Sequence, residues 1–270
     1  MRGGPGLENR GNTCFLNSAL QCLSHVPDLS NRLLGEHYDG SCDVTREYSN
    51  LIRLFWSKSS VRPDCIDPES FHKAFVAKFP RFGENRPHDV QEVVLELIDT
   101  FEKSLGVGFV QSIFNGVETQ EVTFPGGVSN KNSDLTLVVV HPTDQNQTLD
   151  ELWKRRENYH AFSGYIDDDG KEHHAAVTRT IVSRMPSILI VSFSQYDAKH
   201  KVRVPRVYGD HVLFGLVVHI GSTHGGHYLA YVKHKGVWRV ADDESVRESE
   251  PPESGEYYLA FYKKSTQKVT

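Results

Sequence analysis

A chain of 270 residues with 38% hydrophobic and 24% charged side chains has the make-up of an ordinary soluble globular protein, with room for one large domain or two small ones. A net charge of −5 with no arginine- or lysine-rich stripe argues against nucleic-acid binding, and no apolar run reaches membrane-spanning length or forms a signal peptide. The four cysteines, Cys14, Cys22, Cys42 and Cys65, make no C-x-x-C pair and have no histidine cluster beside them, so no metal or cofactor is expected.

The first element is the most informative. A turn rich in glycine and asparagine, Gly6 to Thr13, delivers Cys14 onto the first turn of a helix whose Leu16, Ala19, Leu20 and Leu23 recur at helical spacing. Asn12 or Thr13 is the expected N-cap, and Pro27 is expected to close the segment. Unpaired N–H groups and the helix dipole there favour a thiolate, the form a cysteine nucleophile needs. A buried structural thiol is the competing reading of Cys14. With a reactive thiol, a reducing compartment, cytosol or nucleus, is the expected setting.

Val44, Tyr48, Leu51, Ile52 and Phe55 mark a second helix. Asp67-Pro68-Glu69 opens a third carrying Phe71, Phe75 and Phe79. Asp89 opens a longer fourth through Val90, Val94, Leu97, Ile98, Phe101 and Leu105. Beyond Gly116 the texture turns to β-branched alternation, predicting strands over residues 119–124, 135–141, 175–183, 188–194, 212–220, 227–234, 237–241 and 257–263. Thr148 and Glu151 form a capping box for one short helix among them. Residues 125–132, 167–170 and 248–255 have loop composition. Helices followed by strands predict an α+β fold with an antiparallel sheet against a helical lobe.

The glycine-rich run Gly221 to Tyr228 leads into a strand that hairpins through Lys235-Gly236 and ends at Asp242-Asp243. Such a hairpin brings His227 near Asp242, and an imidazole oriented by a carboxylate beside a cysteine is a nucleophilic triad. A structural histidine at a strand edge is the alternative for His227.

At these residues the chain resembles the ubiquitin-specific protease family. Residues 6–23 resemble its cysteine box; His224 to Tyr228 with Trp238 to Val246 resemble its histidine box; Tyr257-Tyr258-Leu259-Ala260-Phe261-Tyr262 is similar to its closing strand. Weaker likeness runs through His88-Asp89-Val90-Gln91-Glu92, Phe114-Asn115-Gly116 and Met185 to Leu189. The resemblance implies a single catalytic domain over residues 1–270 with a papain-like core: a helical thumb over about residues 6–118, and an antiparallel β palm with reduced, zinc-free fingers over about residues 119–264. It implies a deubiquitinase, a cysteine-type hydrolase cutting the peptide or isopeptide bond after the last glycine of ubiquitin. Cys14 would be the nucleophile, His227 the general base and acid, Asp242 the orienting carboxylate, Asp243 a supporting acid, and Asn9 an oxyanion donor. Substrate binding would fall to Asp89, Gln91, Gly225, Gly226 and Tyr228. In that role Asp89 accepts a tail arginine of ubiquitin, although a plain helix-dipole carboxylate is equally open, and Gly225 and Gly226 line the passage for the diglycine end. The expected partners are ubiquitin or a ubiquitin-like modifier and the proteins that carry it. A monomer without nucleic-acid or membrane partners is expected.

The sequence departs from the family in four places. Where many relatives carry two zinc-binding cysteine pairs in the fingers, residues 122–130 and 165–176 contain none, and His173-His174 are strand neighbours that point to opposite faces. Pro87 replaces a glutamine, Val93-Val94 replace an aromatic or leucine pair, and Ser194-Gln195 replace a Lys-Arg pair. These changes keep open a protease for another ubiquitin-like modifier, and a weakly active ubiquitin-binding scaffold stands as the other alternative. A different papain-like hydrolase of the transglutaminase type fits the cysteine box poorly.

Overall fold

The structure is a computed structural model that describes residues 4–57, 63–83, 86, 88–194, 200–222 and 225–265. Pro87, Gln195, Thr223 and His224, singled out in the sequence, lie outside the described residues.

Among the described residues six α-helices precede the main strands: α1 (Cys14–Ser24), α2 (Pro27–Gly35), α3 (Asp43–Phe55), α4 (Glu69–Lys78), α5 (Val90–Leu105) and α6 (Val107–Phe114). The apolar positions picked out by spacing are those that pack. Val44, Tyr48, Leu51, Ile52 and Phe55 of α3 and Val90, Val94, Leu97, Ile98 and Phe101 of α5 are all buried, with Tyr48 and Phe101 rings 4.7 Å apart. Asp89 caps α5 by accepting the Gln91 N–H at 2.7 Å. Two helices escaped the sequence reading. Pro27 does not merely end α1; it is the first residue of α2, where its missing N–H costs nothing. The α6 helix starts after Gly106, which turns the chain at φ 104°.

The main sheet has eight strands. From one edge they run Ser245–Glu248, Val237–Asp242, Gly225–His234, His211–Ser222, Tyr257–Lys264, Ile188–Phe193 and Val138–Val140, with Val207–Tyr208 pairing beside His211–Ser222. It departs from the expected antiparallel pattern at one edge, where Val138–Val140 runs parallel to Ile188–Phe193. The Ile188–Phe193 strand is buried on both faces: Ile188 and Ile190 join the core shared with the helices, while Leu189, Val191 and Phe193 join a second core with Leu149, Leu152 and Trp153. Those last three sit on α7 (Leu149–Arg156), whose Thr148–Glu151 capping box is formed. Being covered on both faces is why residues 188–193 read as an apolar run interrupted by Ser192 alone rather than as an alternation.

A second, four-stranded sheet projects from this body, in the order Gly127–Leu135, Gly116–Phe124, Ala176–Arg184, His160–Phe162. The predicted loop over residues 125–132 is therefore mostly strand. Only Pro125 and Gly126 turn the chain, and Gly127–Leu135 pairs residue for residue with Gly116–Phe124. That strand is polar and exposed along nearly its whole length, so it carries no alternation to read. Beside this sheet, His173 is buried, lies 2.8 Å from Asp167 Oδ2 through Nε2, and sits 4.5 Å from the Phe124 ring in a tilted arrangement, while His174 is exposed. The donor set there does not fit a zinc site: residues 122–130 and 165–176 hold no cysteine, and the first of the two histidines is committed to a carboxylate.

Candidate active site

The segment before α1 is shaped by one side chain. Asn9 Oδ1 accepts the Gly11 N–H at 3.0 Å and the Thr13 N–H at 3.2 Å, and lies 3.2 Å from the Thr13 hydroxyl. The loop is thereby wrapped around the asparagine, with Gly11 and Asn12 both at positive φ. Of the two expected N-cap residues, Thr13 takes the position, without a side-chain cap bond because its hydroxyl instead accepts the Arg10 N–H at 2.9 Å. Upstream, Gly6–Leu7 pairs in parallel with Cys65–Ile66, and a Cβ on Gly6 would sit 2.1 Å from the Glu244 carbonyl. Glycine there lets the N-terminal strand press against the turn that follows Asp242.

That turn supplies the acids. Asp243 is held at φ 46°, and its main-chain carbonyl accepts the Leu7 N–H at 2.8 Å. Its carboxylate points into the loop: Oδ2 accepts Asn9 Nδ2–H and Oδ1 accepts Asn17 Nδ2–H, each at 2.7 Å. Glu244 adds a further tie, accepting the Asn9 N–H at 2.8 Å, which holds its carboxyl below the ordinary range. Asp242 faces the other way. Its Oδ1 lies 2.6 Å from His227 Nε2, and the two side chains are 53% and 39% exposed. The adjacent acids thus have separate partners, the imidazole for Asp242 and two asparagine amides for Asp243. Among the described residues, His227, Asp242 and Asp243 are also the one group of His, Cys, Asp and Glu side chains close enough to share a metal ion.

Cys14 is 6% exposed, and the Tyr228, Phe15 and Cys14 backbone N–H groups face its sulfur. Contrary to the expectation of a ready thiolate, burial pushes its pKa above the ordinary value and the Asp243 charge adds to that, outweighing the N–H donors. The Tyr228 N–H that faces the sulfur directly follows His227 on a strand packed against α1; Asp242 occupies Nε2 of that imidazole, and Nδ1 is the ring nitrogen it does not use.

The expected substrate-binding residues divide. Asp89 joins two duties at once: Oδ1 caps α5 and Oδ2 accepts the Tyr258 hydroxyl at 2.6 Å. Gln91 uses its side-chain carbonyl to accept the Ser192 hydroxyl, tying α5 to the sheet. The Tyr228 ring is buried against His219, 4.4 Å between centroids, with its phenol pushed up by burial and by the neighbouring Asp89 charge. Gly225 opens onto free space among the described residues. At Gly226 a Cβ would lie 2.4 Å from His219 Nε2 and 2.6 Å from the Ile220 carbonyl, so a side chain there collides with the neighbouring strand of its own sheet. Sequence reasoning passed over Asn17. Its signal was an asparagine three residues after Cys14 on a helix with no exposed face.

A family model described as ubiquitin carboxyl-terminal hydrolase matches residues 5–209 and 207–262. Probable ubiquitin carboxyl-terminal hydrolase 16 of Schizosaccharomyces pombe is 24% identical over 311 residues, covering 98% of this chain and 68% of that protein. Ubiquitin carboxyl-terminal hydrolase 42 of Homo sapiens is 26% identical over 313 residues, covering 98% of this chain and 23% of that one. The chain therefore spans between 23% and 68% of the length of these two relatives. Among solved structures, the SAGA Ubp8/Sgf11/Sus1/Sgf73 DUB module bound to ubiquitin aldehyde superposes with a TM-score of 0.82 at 17% identity, over 97% of this chain and 70% of that one. The shared architecture is that of the papain-like ubiquitin-specific protease fold, and with a family match running over nearly its whole length, this chain belongs to the ubiquitin carboxyl-terminal hydrolase family.

Proposed function

We propose that the chain is a thiol-dependent deubiquitinase that hydrolyses the bond after the C-terminal glycine of ubiquitin. The observation that carries this is the convergence of the buried Cys14 sulfur, the His227–Asp242 pair at 2.6 Å and the Asn9–Asp243 pair at 2.7 Å on one helix N-terminus, in a chain of this family. In this reading His227 Nδ1 takes the Cys14 proton as the sulfur attacks the glycine carbonyl, and Asp242 steadies the imidazolium. Asn9 and the Cys14 backbone N–H donate to the oxyanion of the tetrahedral intermediate. The imidazolium then gives its proton to the departing amine, leaving a thioester. A water deprotonated by His227 cleaves that thioester, releasing the glycine carboxylate and restoring the thiol. Asp89 accepts a guanidinium of the ubiquitin tail on lone pairs not used by Gln91 and Tyr258. A reducing compartment, cytosol or nucleus, fits the four free cysteines, and a monomer suffices for this chemistry because every residue named in it lies on one chain.

The test is hydrolysis of ubiquitin, and of other ubiquitin-like modifiers, each joined through its C-terminus to a fluorogenic amine. Ubiquitin turnover that is abolished in Cys14→Ala is the expected result. Turnover of another modifier in preference to ubiquitin would move the substrate assignment, and binding of ubiquitin without turnover would make the chain a scaffold.

A further inference from the structure

A polar side chain inside a buried helix has to be paired, or it costs stability. Asn17 is 3% exposed on α1, one turn beyond Cys14. Its amide nitrogen faces three acceptors: Asp243 Oδ1 at 2.7 Å, the Leu7 carbonyl at 3.2 Å and the Glu8 carbonyl at 3.3 Å. Its own oxygen meets no donor among the described residues. This arrangement fixes which way the amide points, since the reverse orientation would set its oxygen against a carboxylate and two carbonyls.

The consequence runs through Asp243. A carboxylate is a rigid plane, so anchoring Oδ1 on Asn17 also decides where Oδ2 lies, and Oδ2 holds Asn9 Nδ2 at 2.7 Å. With the other end of Asn9 pinned by Gly11 and Thr13, the whole amide is immobilised and one N–H remains unused by Asp243. We propose that Asn17 is a positioning residue for the acyl-transfer step, acting through Asp243 to fix the Asn9 amide on the developing oxyanion. The Asn17–Asp243–Asn9 chain links the helix that carries the nucleophile to the donor that stabilises its product. The proposal rests on the deubiquitinase reading, and it assigns to Asn17 a role in kcat rather than in ubiquitin affinity.

The experiment is a double-mutant cycle between Asn9→Ala and Asn17→Ala, read as kcat and KM on a fluorogenic ubiquitin amide. Asn9→Ala should lower kcat by about 10²- to 10³-fold, the usual loss of an oxyanion donor. Asn17→Ala should lower kcat at least about tenfold with KM nearly unchanged, yet add no more than about twofold in the Asn9→Ala background, because its route to the reaction is already gone. Ubiquitin affinity, measured in the Cys14→Ala protein with and without Asn17→Ala, should be the same. Effects that multiply, an unchanged kcat, or a parallel loss of ubiquitin affinity would each overturn the proposal. The isosteric Asn17→Asp keeps the test available if alanine unfolds the protein. It sets a second carboxylate against Asp243, one of the two should hold a proton more tightly, and a protonated Asp at that position can donate again. Its kcat relative to wild type should therefore rise as pH falls from 8 towards 5.5, and a flat ratio would overturn the proposal. A wild-type protein without ubiquitin turnover would refute the functional reading itself and this inference with it; an active wild type with an indifferent Asn17 would refute the inference alone.

Discussion

The two adjacent acids offer a prediction with an internal control. Asp243→Asn keeps the shape of the side chain but presents one oxygen and one NH₂ to two amide donors that now each have a carboxylate oxygen at 2.7 Å. One bond is lost and the other loses its charge assistance, which costs about 2 kcal/mol of stability, since hydrogen bonds to charged groups are worth roughly 1.5–3 kcal/mol. Freeing the Asn9 amide should also remove the preorganised oxyanion donor, a loss of about 10²- to 10³-fold in kcat. Asp242→Asn acts on the imidazole instead. A fully buried triad aspartate is worth about 10⁴-fold through the tautomer it sets. Here the pair is about half exposed to water, so a smaller loss of roughly 10- to 100-fold is expected, with little change in stability. Steady-state assays across pH 5.5–9 with a fluorogenic ubiquitin amide, together with thermal melts, separate the two. Asp242→Asn should change the shape of the pH profile of kcat/KM, whereas Asp243→Asn should lower it uniformly and lower the melting temperature. The reasoning is refuted if Asp243→Asn reshapes the profile and Asp242→Asn does not, for then Asp243 is the partner of the imidazole.

Other expectations follow from burial and charge. Because burial raises the Cys14 pKa, its iodoacetamide alkylation in the free protein, followed by peptide mass, should still be climbing with pH at the alkaline end of the accessible range, and a plateau near pH 6–7 would show a preformed thiolate. His25 is buried at the end of α1 with Nδ1 2.7 Å from the Gln21 carbonyl, and its pKa is driven from 6.5 to about 4 by desolvation, with the nearby His234, Arg239 and Lys263 adding to it. The unfolded chain therefore takes up that proton first as pH falls, so stability is lost between pH 6.5 and about 4, by up to about 3 kcal/mol at 1.36 kcal/mol per pH unit. His25→Gln should flatten the fall in melting temperature over that window, and equal slopes would count against the assignment. Asp89→Asn keeps one oxygen for the α5 cap and turns its NH₂ towards Tyr258, whose hydroxyl can rotate to accept from it, but loses the charge, so kcat/KM for ubiquitin substrates should drop several-fold to a hundredfold while the melting temperature moves little. Unchanged kinetics would leave Asp89 a helix cap only.

Much of this architecture is written in local chemistry that a sequence displays. Asp89 ahead of a 3.6-residue apolar spacing announced α5, and Thr148 with Glu151 announced α7, because caps and periodicity act within a few residues. The nearness of His227 and Asp242 was legible for the same reason, since a hairpin joins them. What stayed hidden depends on distant partners. The Gly127–Leu135 strand is held by pairing with its neighbour rather than by burial, so its composition reads as loop. Asn17 meets Asp243 across 226 residues, and no local pattern tells a paired buried asparagine from a stray one. The surroundings of Cys14 were hidden for the same reason: the helix end is local and visible, but the Tyr228 N–H and the Asp243 charge that act on the sulfur lie more than 200 residues away.

The central claim is that Cys14 is the nucleophile that attacks the C-terminal carbonyl of ubiquitin. Intact-mass analysis after exposure to ubiquitin bearing a C-terminal electrophile, followed by peptide mapping, tests it most directly. The account predicts a single ubiquitin adduct on Cys14, absent in Cys14→Ala, with Cys22, Cys42 and Cys65 unmodified. An adduct that persists in Cys14→Ala, or none in the wild-type protein, would contradict it.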